Sequence, residues 1–296
     1  MELRTFHDTE FSALLDLCRA GLREEVAPNA LRRLFFDEPE RKPAYHLALW
    51  EGSALVGALL GGIRHRPEGM LGGVRLLVVA PQMRRRGLAT QLLTEIERLM
   101  HADRLPEIRF GHIGPNYLWP GVDLRDTPAI CLLQKRGYQR FGEALNMDVD
   151  LTISDWSPAV DEVRLAAAGW TVRRAEPADQ PALSAWVAAE FSAAWVWEAS
   201  QALQAQPISA FLALHDGRIR GFACYDVSGL RSCFGPTGVD PSARGLGLGR
   251  VLLLRCLADM RARGDSHAEI GWVGPLAFYS TIAAARIGRV CWFMRR

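Results

Sequence analysis

Apolar positions along this chain follow two alternating rhythms, and the whole alternation is written twice. Short apolar runs, Leu47-Ala48-Leu49-Trp50 and Leu212-Ala213-Leu214, each meet an acidic-Gly turn, Glu51-Gly52 or Asp216-Gly217, and a further apolar run follows. That pattern predicts a β-hairpin in each half. Longer stretches show helical spacing: leucines at 92, 93 and 99 stripe residues 87 to about 102, and leucines at 252, 253, 254 and 257 stripe residues 249 to about 264. Glu107-Ile108 and Glu269-Ile270 are expected at the start of matching fifth strands, and the segments 4–14 and 173–183 share one strand-to-helix pattern. Each half reads β-α-α-β-β-β-α-β-α-β, a tandem duplication. The expected domains are residues 1–156 and 157–296, with the boundary near Ser157. The joining segment 152–169 lacks Gly/Ser low complexity and is expected to be ordered. Residues 287–293 alternate like a final strand.

Composition narrows the class of protein. A length of 296 residues suits about two domains, and 49% hydrophobic with 23% charged residues describes an ordinary globular chain. A net charge of +2 argues against nucleic acid as the main partner, since no large basic excess exists to release counterions. The first residues show no apolar signal-peptide region, and the run 54–63 is too short and Gly-rich to cross a bilayer. The expectation is a cytoplasmic protein without a membrane partner. Cys18, Cys131, Cys224, Cys233, Cys256 and Cys291 form no Cys-x-x-Cys pair and read as reduced core residues, with no metal site expected. The oligomeric state is not legible.

The densest chemical signal is also duplicated. Val79-Ala80-Pro81-Gln82-Met83-Arg84-Arg85-Arg86-Gly87-Leu88-Ala89-Thr90 aligns without a gap on Val239-Asp240-Pro241-Ser242-Ala243-Arg244-Gly245-Leu246-Gly247-Leu248-Gly249-Arg250. Each copy sits between an apolar run and an amphipathic helix. A helix start leaves N–H groups unpaired and carries positive dipole density, so it can hold a pyrophosphate. The glycines allow close approach and left-handed dihedrals. A Rossmann fingerprint would follow the first strand of its unit, whereas this signature follows the fourth.

Val-x-Pro-x-x-Arg-x-x-Gly-x-Gly/Ala at the end of a fourth strand, in this order of elements, resembles the GNAT superfamily of acyl-CoA N-acyltransferases over nearly the whole chain. The resemblance implies an α/β fold with a mixed sheet: two tandem domains, each a twisted, mostly antiparallel sheet flanked by helices. It implies acetyl-CoA as co-substrate and an amine acceptor as partner. Arg244, Gly245, Leu246, Gly247, Leu248, Gly249 and Arg250 would give backbone N–H groups to the pyrophosphate, and Val239 would pair with the pantetheine arm. In the first half these roles fall to Val79 and to Arg84, Arg85, Arg86, Gly87, Leu88, Ala89 and Thr90, with Ala89 in place of the last glycine.

Acetyl transfer makes two proton demands: an ammonium of pKa ~10 must lose a proton before attack, and a departing thiolate of solution pKa ~8.5 can accept one. Phe278-Tyr279-Ser280-Thr281-Ile282-Ala283 resembles the family's Phe-Tyr-x-x-x-Gly helix, which makes Tyr279 the candidate general acid; packing of the helix on the sheet is the alternative use. Leu133 takes that position in the first half, so catalysis is expected in the C-terminal half. A fourth-strand glutamate serves some members as base, but counting back lands on Gly73 and Cys233. Asp226 and Glu269 are weaker candidates, and Cys233 has no adjacent His to make it a nucleophile. Residues 114–123 could wall an acceptor pocket or pack at a domain seam. Phe191, Trp195 and Trp197 lie where the family builds acceptor specificity or packs helix on sheet. The alternatives left open are a non-catalytic acyl-CoA-binding or sensing protein, and one catalytic half with a structural coenzyme site in the other.

Overall fold

The computed structural model describes residues 1–38, 40–66, 69–228 and 230–296. Its elements run in the predicted order. The first repeat holds β1 (Glu2–Thr5), α1 (Phe11–Gly21), α2 (Pro28–Phe36), β2 (His46–Glu51), β3 (Ala54–Arg66), β4 (Gly69–Val79), α3 (Leu88–Ala102), β5 (Ile108–Phe110), a short β6 (Val122–Asp123), α4 (Thr127–Lys135) and β7 (Gln139–Asp150). The joining segment is indeed ordered and contains α5 (Ala159–Ala167). The second repeat follows with β8 (Trp170–Arg174), α6 (Gln180–Glu190), α7 (Ala193–Gln204), β9 (Ala210–His215), β10 (Arg218–Tyr225), β11 (Cys233–Val239), α8 (Leu248–Ala262), β12 (His267–Ile270), α9 (Leu276–Ala283) and β13 (Arg286–Arg295).

The chain forms two compact units, residues 1–144 with 290–296 and residues 145–289. In the first, β1 to β4 form an antiparallel meander, and Gly72–Val74 of β4 run parallel to Ile108–Phe110 of β5. The outer edge of β5 is closed by the chain's last strand, Met294 facing Phe110 and Arg295 facing Arg109. In the second unit, β8 to β11 repeat the meander, and β11 runs parallel to β12. There the outer edge of β12 is closed by residues 147–150 of β7. Repeats and compact units thus divide the chain differently. The break expected at 156/157 falls inside the second unit, because each unit takes its closing strand from the other half of the chain. The physical cause is the unpaired N–H and C=O row of β5 and β12, which a third strand satisfies wherever in the chain it originates. Register also moves the expected strand alignment by two residues: Arg109 and Glu269, opposite Gly73 and Cys233, are the equivalent positions.

The helix following each signature packs as its stripe predicts. Leu92, Leu93, Ile96 and Met100 of α3 are fully buried, with Leu99 only half-buried, and Leu252, Leu253 and Leu257 of α8 are fully buried. Each such side chain contributes roughly 1.5–3 kcal/mol relative to exposure. In the second unit the sheet separates two apolar layers, one with α8 and α9, including Phe234 and Tyr279, and one with α6 and α7, including Phe222 and Cys224.

One core position carries a pH dependence. His46 of β2 is fully buried, its ring 4.9 Å from that of Phe35, and neither ring nitrogen has a hydrogen-bond partner among the described residues. Burial, helped by the Arg41 charge, pushes its pKa down to about 4. An unfolded histidine titrates near ~6.5, so the unfolded state binds more protons in this interval and stability falls as pH drops from ~6.5 through 4. The loss should total about 3 kcal/mol. Urea midpoints of His46→Leu should lack this acid slope; a slope identical to that of the parent would contradict the assignment.

Candidate active site

In the second unit, β11 pairs with β12 only where Cys233 faces Glu269 and Phe234 faces Ile270, yet β11 continues to Val239. The strand therefore has an open edge beyond the ladder. The Asp240 N–H donates to Arg220 O at 2.8 Å, toward β10. Successive N–H groups alternate sides along a strand, so the Val239 N–H points to the open side.

From that edge the chain enters the signature. Pro241–Ala243 form one 3-10 turn, Gly245 and Gly247 take φ of +82° and +93°, and α8 begins at Leu248. Both glycines occupy the left-handed region that a side chain would strain. Among the described residues, the backbone N–H groups of 245–250 meet no acceptor. They form a row of donors at the positive end of a helix dipole. The Asp240 carboxylate shapes the approach: it accepts the Ser242 N–H at 2.8 Å and hydroxyl at 2.7 Å and pairs with Arg220 at 2.7 Å. These bonds, the Ser242 hydroxyl first, lower its pKa to about 2.

The arginine side chains have specific duties. Arg244 donates to Val239 O at 3.4 Å, and Arg250 pairs with Asp161 of α5 at 2.9 Å. Arg164, also on α5, donates to Leu246 O at 2.9 Å and lies 2.7 Å from where a Gly247 Cβ would stand. Sequence reasoning missed Arg164, although the Asp161, Glu162 and Arg164 run on an otherwise Ala-rich helix was the available signal.

Tyr279 lies on α9, next to Phe278, whose ring borders the loop: a Cβ on Gly249 would meet Phe278 at 3.4 Å and Val239 at 3.8 Å. The Tyr279 ring is 5% exposed and packs edge-on to Phe278 and Phe234, with centroids 5.0 and 6.1 Å apart. Its hydroxyl has no hydrogen-bond partner among the described residues, burial alone acting on it. Burial pushes its pKa up to about 12, so it is a proton donor throughout the neutral range.

The first unit keeps the cradle and alters the rest. Gly87 takes φ +81° and Arg85, in the place of Gly245, is held at +64°. That conformation costs an arginine roughly 1–2 kcal/mol. The N–H groups of 85–90 likewise have no acceptor among the described residues, and Arg84 donates to Val79 O at 3.3 Å and Gly21 O at 2.6 Å. Leu133 of α4 is buried where the second unit has its tyrosine.

Both fourth strands bulge at the same point, Arg75 in β4 and Gly235-Pro236 in β11. In the first unit the bulge carries a buried ionic plug. Arg75 donates to Gly61 O at 2.7 Å and, with Arg64, pairs with Glu38, which also accepts from Asn116 at 2.9 Å. Burial lowers the pKa of Arg75 to about 9 and that of Arg64 to about 10. Arg64 further donates to Ile113 O at 2.9 Å and Pro115 O at 2.7 Å, so residues 113–116 pack onto this plug. A Cβ on Gly73 would meet the Ile113 side chain at 3.1 Å, so a larger residue there would require Ile113 to shift.

The remaining candidates are engaged. Asp226 pairs with Arg263 and accepts from the Cys233 N–H at 3.3 Å; Glu269 accepts from Asn146 at 2.6 Å and Arg289 at 3.0 Å. The Cys233 thiol is pushed up by burial and by the Glu269, Asp226 and Glu198 carboxylates, which keeps it protonated. Phe191 and Trp195 stack at 4.9 Å, and the Phe191 ring lies over Gly238 of β11.

The second unit thus has an open strand edge leading into a row of free amides, and Tyr279 sits on the helix whose Phe278 borders that row. The acetyltransferase (GNAT) family model matches residues 10–118 and 174–276, and the chain belongs to that family. It is 32% identical over 275 residues, 87% of this chain and 82% of the relative, to a protein of Thermomonospora curvata named mycothiol acetyltransferase. Among solved structures it resembles a tandem GNAT protein from the clavulanic acid biosynthesis pathway, with TM-score 0.72 and 20% identity over 100% of this chain and 98% of that one. It also resembles the glucosamine N-acetyltransferase region of a fungal multi-domain β-N-acetylglucosaminidase, with TM-score 0.80 and 17% identity, covering 100% of this chain and 38% of that protein. The protein is thus an N-acetyltransferase using an acyl-CoA donor and an acceptor. Among the described residues no helix is long and apolar enough to cross a membrane.

Proposed function

We propose that the protein moves an acetyl group from acetyl-CoA to a primary amine of a small molecule or peptide, and that the second unit does the chemistry. One contrast carries this reading. The second unit has a buried phenol, without a hydrogen-bond partner among the described residues, on the helix that borders its cradle, whereas the first has Leu133 at the corresponding position and the Glu38–Arg64–Arg75 plug at its bulge.

The donor N–H groups of 245–250 would hold the pyrophosphate, and the Val239 N–H would fix the pantetheine arm along the open edge. Orienting the thioester beside the acceptor removes most of the entropic barrier to their reaction. The amine, once neutral, attacks the thioester carbon directly; the C–N bond forms, the C–S bond breaks with the electron pair going to sulfur, and the proton that the new amide nitrogen sheds ends on that sulfur, which departs as the thiol. Tyr279 donates a hydrogen bond to that developing charge. A phenol near pKa 12 is a weak acid toward a thiolate of ~8.5, so stabilising the sulfur is the larger part of its role and complete proton transfer the smaller. The first unit is favoured for a second reading, coenzyme binding without catalysis, because its amide cradle is intact while its tyrosine position is apolar.

The relative's name makes the desacetylated form of mycothiol the first acceptor to offer, followed by glucosamine, cysteine amide and short peptides. Acetyl-dependent thiol release with at least one of them is expected. Tight acetyl-CoA binding with no release across the panel would replace the enzyme reading with a binding module.

A further inference from the structure

The amine must lose a proton, and the strand position that supplies the base elsewhere in this family holds Cys233, whose thiol stays protonated. A carboxyl reaches the same strand from a helix. Glu198 of α7 is only 7% exposed and has no hydrogen-bond or ion-pair partner among the described residues. Its neighbours on α7, Ala199, Ala202 and Leu203, share one core layer with Phe222 and Cys224 of β10, and Trp195 of the same helix meets the Phe222 ring at 6.1 Å, so α7 lies over this part of the sheet; the Glu198 charge acts on the thiols of Cys224 and of Cys233 on β11. One turn earlier on α7, Trp195 stacks on Phe191, and the Phe191 ring covers Gly238, whose Cβ would come within 2.3 Å of it. The α7 face carrying Glu198 therefore lies along β11 between Cys233 and Val239.

The first unit shows what a purely structural carboxylate looks like on this fold. Glu38 is buried too, and is matched by Arg64, Arg75 and Asn116. Glu198 has no such match. A buried carboxyl without a cation is held in its neutral form, and a cation brought in from outside, such as an ammonium substrate, would draw it into the ionised form.

We infer that Glu198 takes the proton from the acceptor amine in the second unit, the helix supplying the carboxylate that β11 lacks. This rests on the reading that the second unit catalyses acetyl transfer. The ammonium N–H bond breaks with its proton passing to a Glu198 carboxylate oxygen; the freed nitrogen lone pair forms the C–N bond as the C–S bond breaks, and the new amide nitrogen gives up its second proton to the departing sulfur, which leaves as the thiol. Glu198 then releases the proton to solvent after product departs. Burial pushes the free Glu198 carboxyl up to about 8, and an ammonium beside it favours its ionised form. The titratable groups facing it are Cys224 and Cys233, both pushed up by burial; beyond them Glu269 is held by Arg289 and Asn146, and Asp226 by Arg263.

The test compares the full chain with its Glu198→Gln and Glu198→Asp variants, using the best amine from the panel of desacetylated mycothiol, glucosamine, cysteine amide and Ala-Ala. Parent kcat/KM should rise with pH through about 8. Glu198→Gln should lose roughly 10²–10⁴-fold and that limb, retaining only the ionisation of the amine itself, with acetyl-CoA affinity by calorimetry unchanged. Glu198→Asp should keep the limb at a reduced rate. The Gln variant should also melt higher than the parent at pH 9, where the parent carries a buried charge. A Gln variant with parental kcat/KM and pH limb overturns the assignment to Glu198 while leaving the transferase reading intact. A parent that binds acetyl-CoA and acetylates none of the amines overturns both.

Discussion

Tyr279→Phe is expected to lower kcat by about 100-fold at neutral pH, at the low end of the 10²–10⁴-fold that a positioned acid contributes. The ring is buried against Phe234 and Phe278, and a phenylalanine fills the same space, so folding and acetyl-CoA affinity should be unchanged. Only the hydroxyl disappears. Because burial places its pKa at about 12, the parent should show no loss of rate attributable to this group below about pH 11. Steady-state rates from pH 6 to 10, paired with calorimetric affinities, read both quantities. Equal turnover of parent and variant across that range would return Tyr279 to a packing role. The matched change Leu133→Tyr in the first unit should confer no activity, since the Arg75 plug stays in place.

Gly247→Val should cut turnover by at least about 100-fold by abolishing coenzyme uptake in the second unit. A β-branched residue at φ +93° is an outlier of its backbone class, costing about 1–3 kcal/mol before any contact is considered. The incoming Cβ would also displace Arg164, which braces Leu246. The loop would escape this strain by rotating its N–H groups away from the carrier. Gly87→Val, at φ +81°, imposes the same strain on the first unit and should leave turnover within about twofold. Counting bound acetyl-CoA per chain in both variants separates catalytic from silent cradles. Loss of turnover in the Gly87 variant, with Gly247→Val active, would move the chemistry to the first unit.

The acidic end of the pH range is governed elsewhere in the molecule. His46 makes the first unit acid-sensitive through a buried, uncharged ring, while Asp240, held at about 2, keeps the entry to the second cradle intact down to much lower pH. Acid exposure should therefore loosen the first unit before it disturbs the second loop.

Local chemistry made much of this molecule readable from its residues. The twofold and 3.6-fold periodicities placed the hairpins and α3 and α8, because the period at which side chains return to one face is a property of the backbone alone. The glycines at 87, 245 and 247 announced left-handed turns, and those turns leave the helix-start amides free. The absence of a glutamate at Gly73 and Cys233 was equally legible. Tertiary structure alone decided which strand closes each sheet, because a β edge accepts any suitably placed strand and hydrogen bonding carries no memory of chain position. It also decided that α5 braces the second cradle, that Arg75 plugs the first unit, and that Glu198 comes to stand over β11. Each of these joins residues far apart in sequence, and a carboxyl's role follows from which cations and thiols the fold sets around it, information that no spacing along the chain contains.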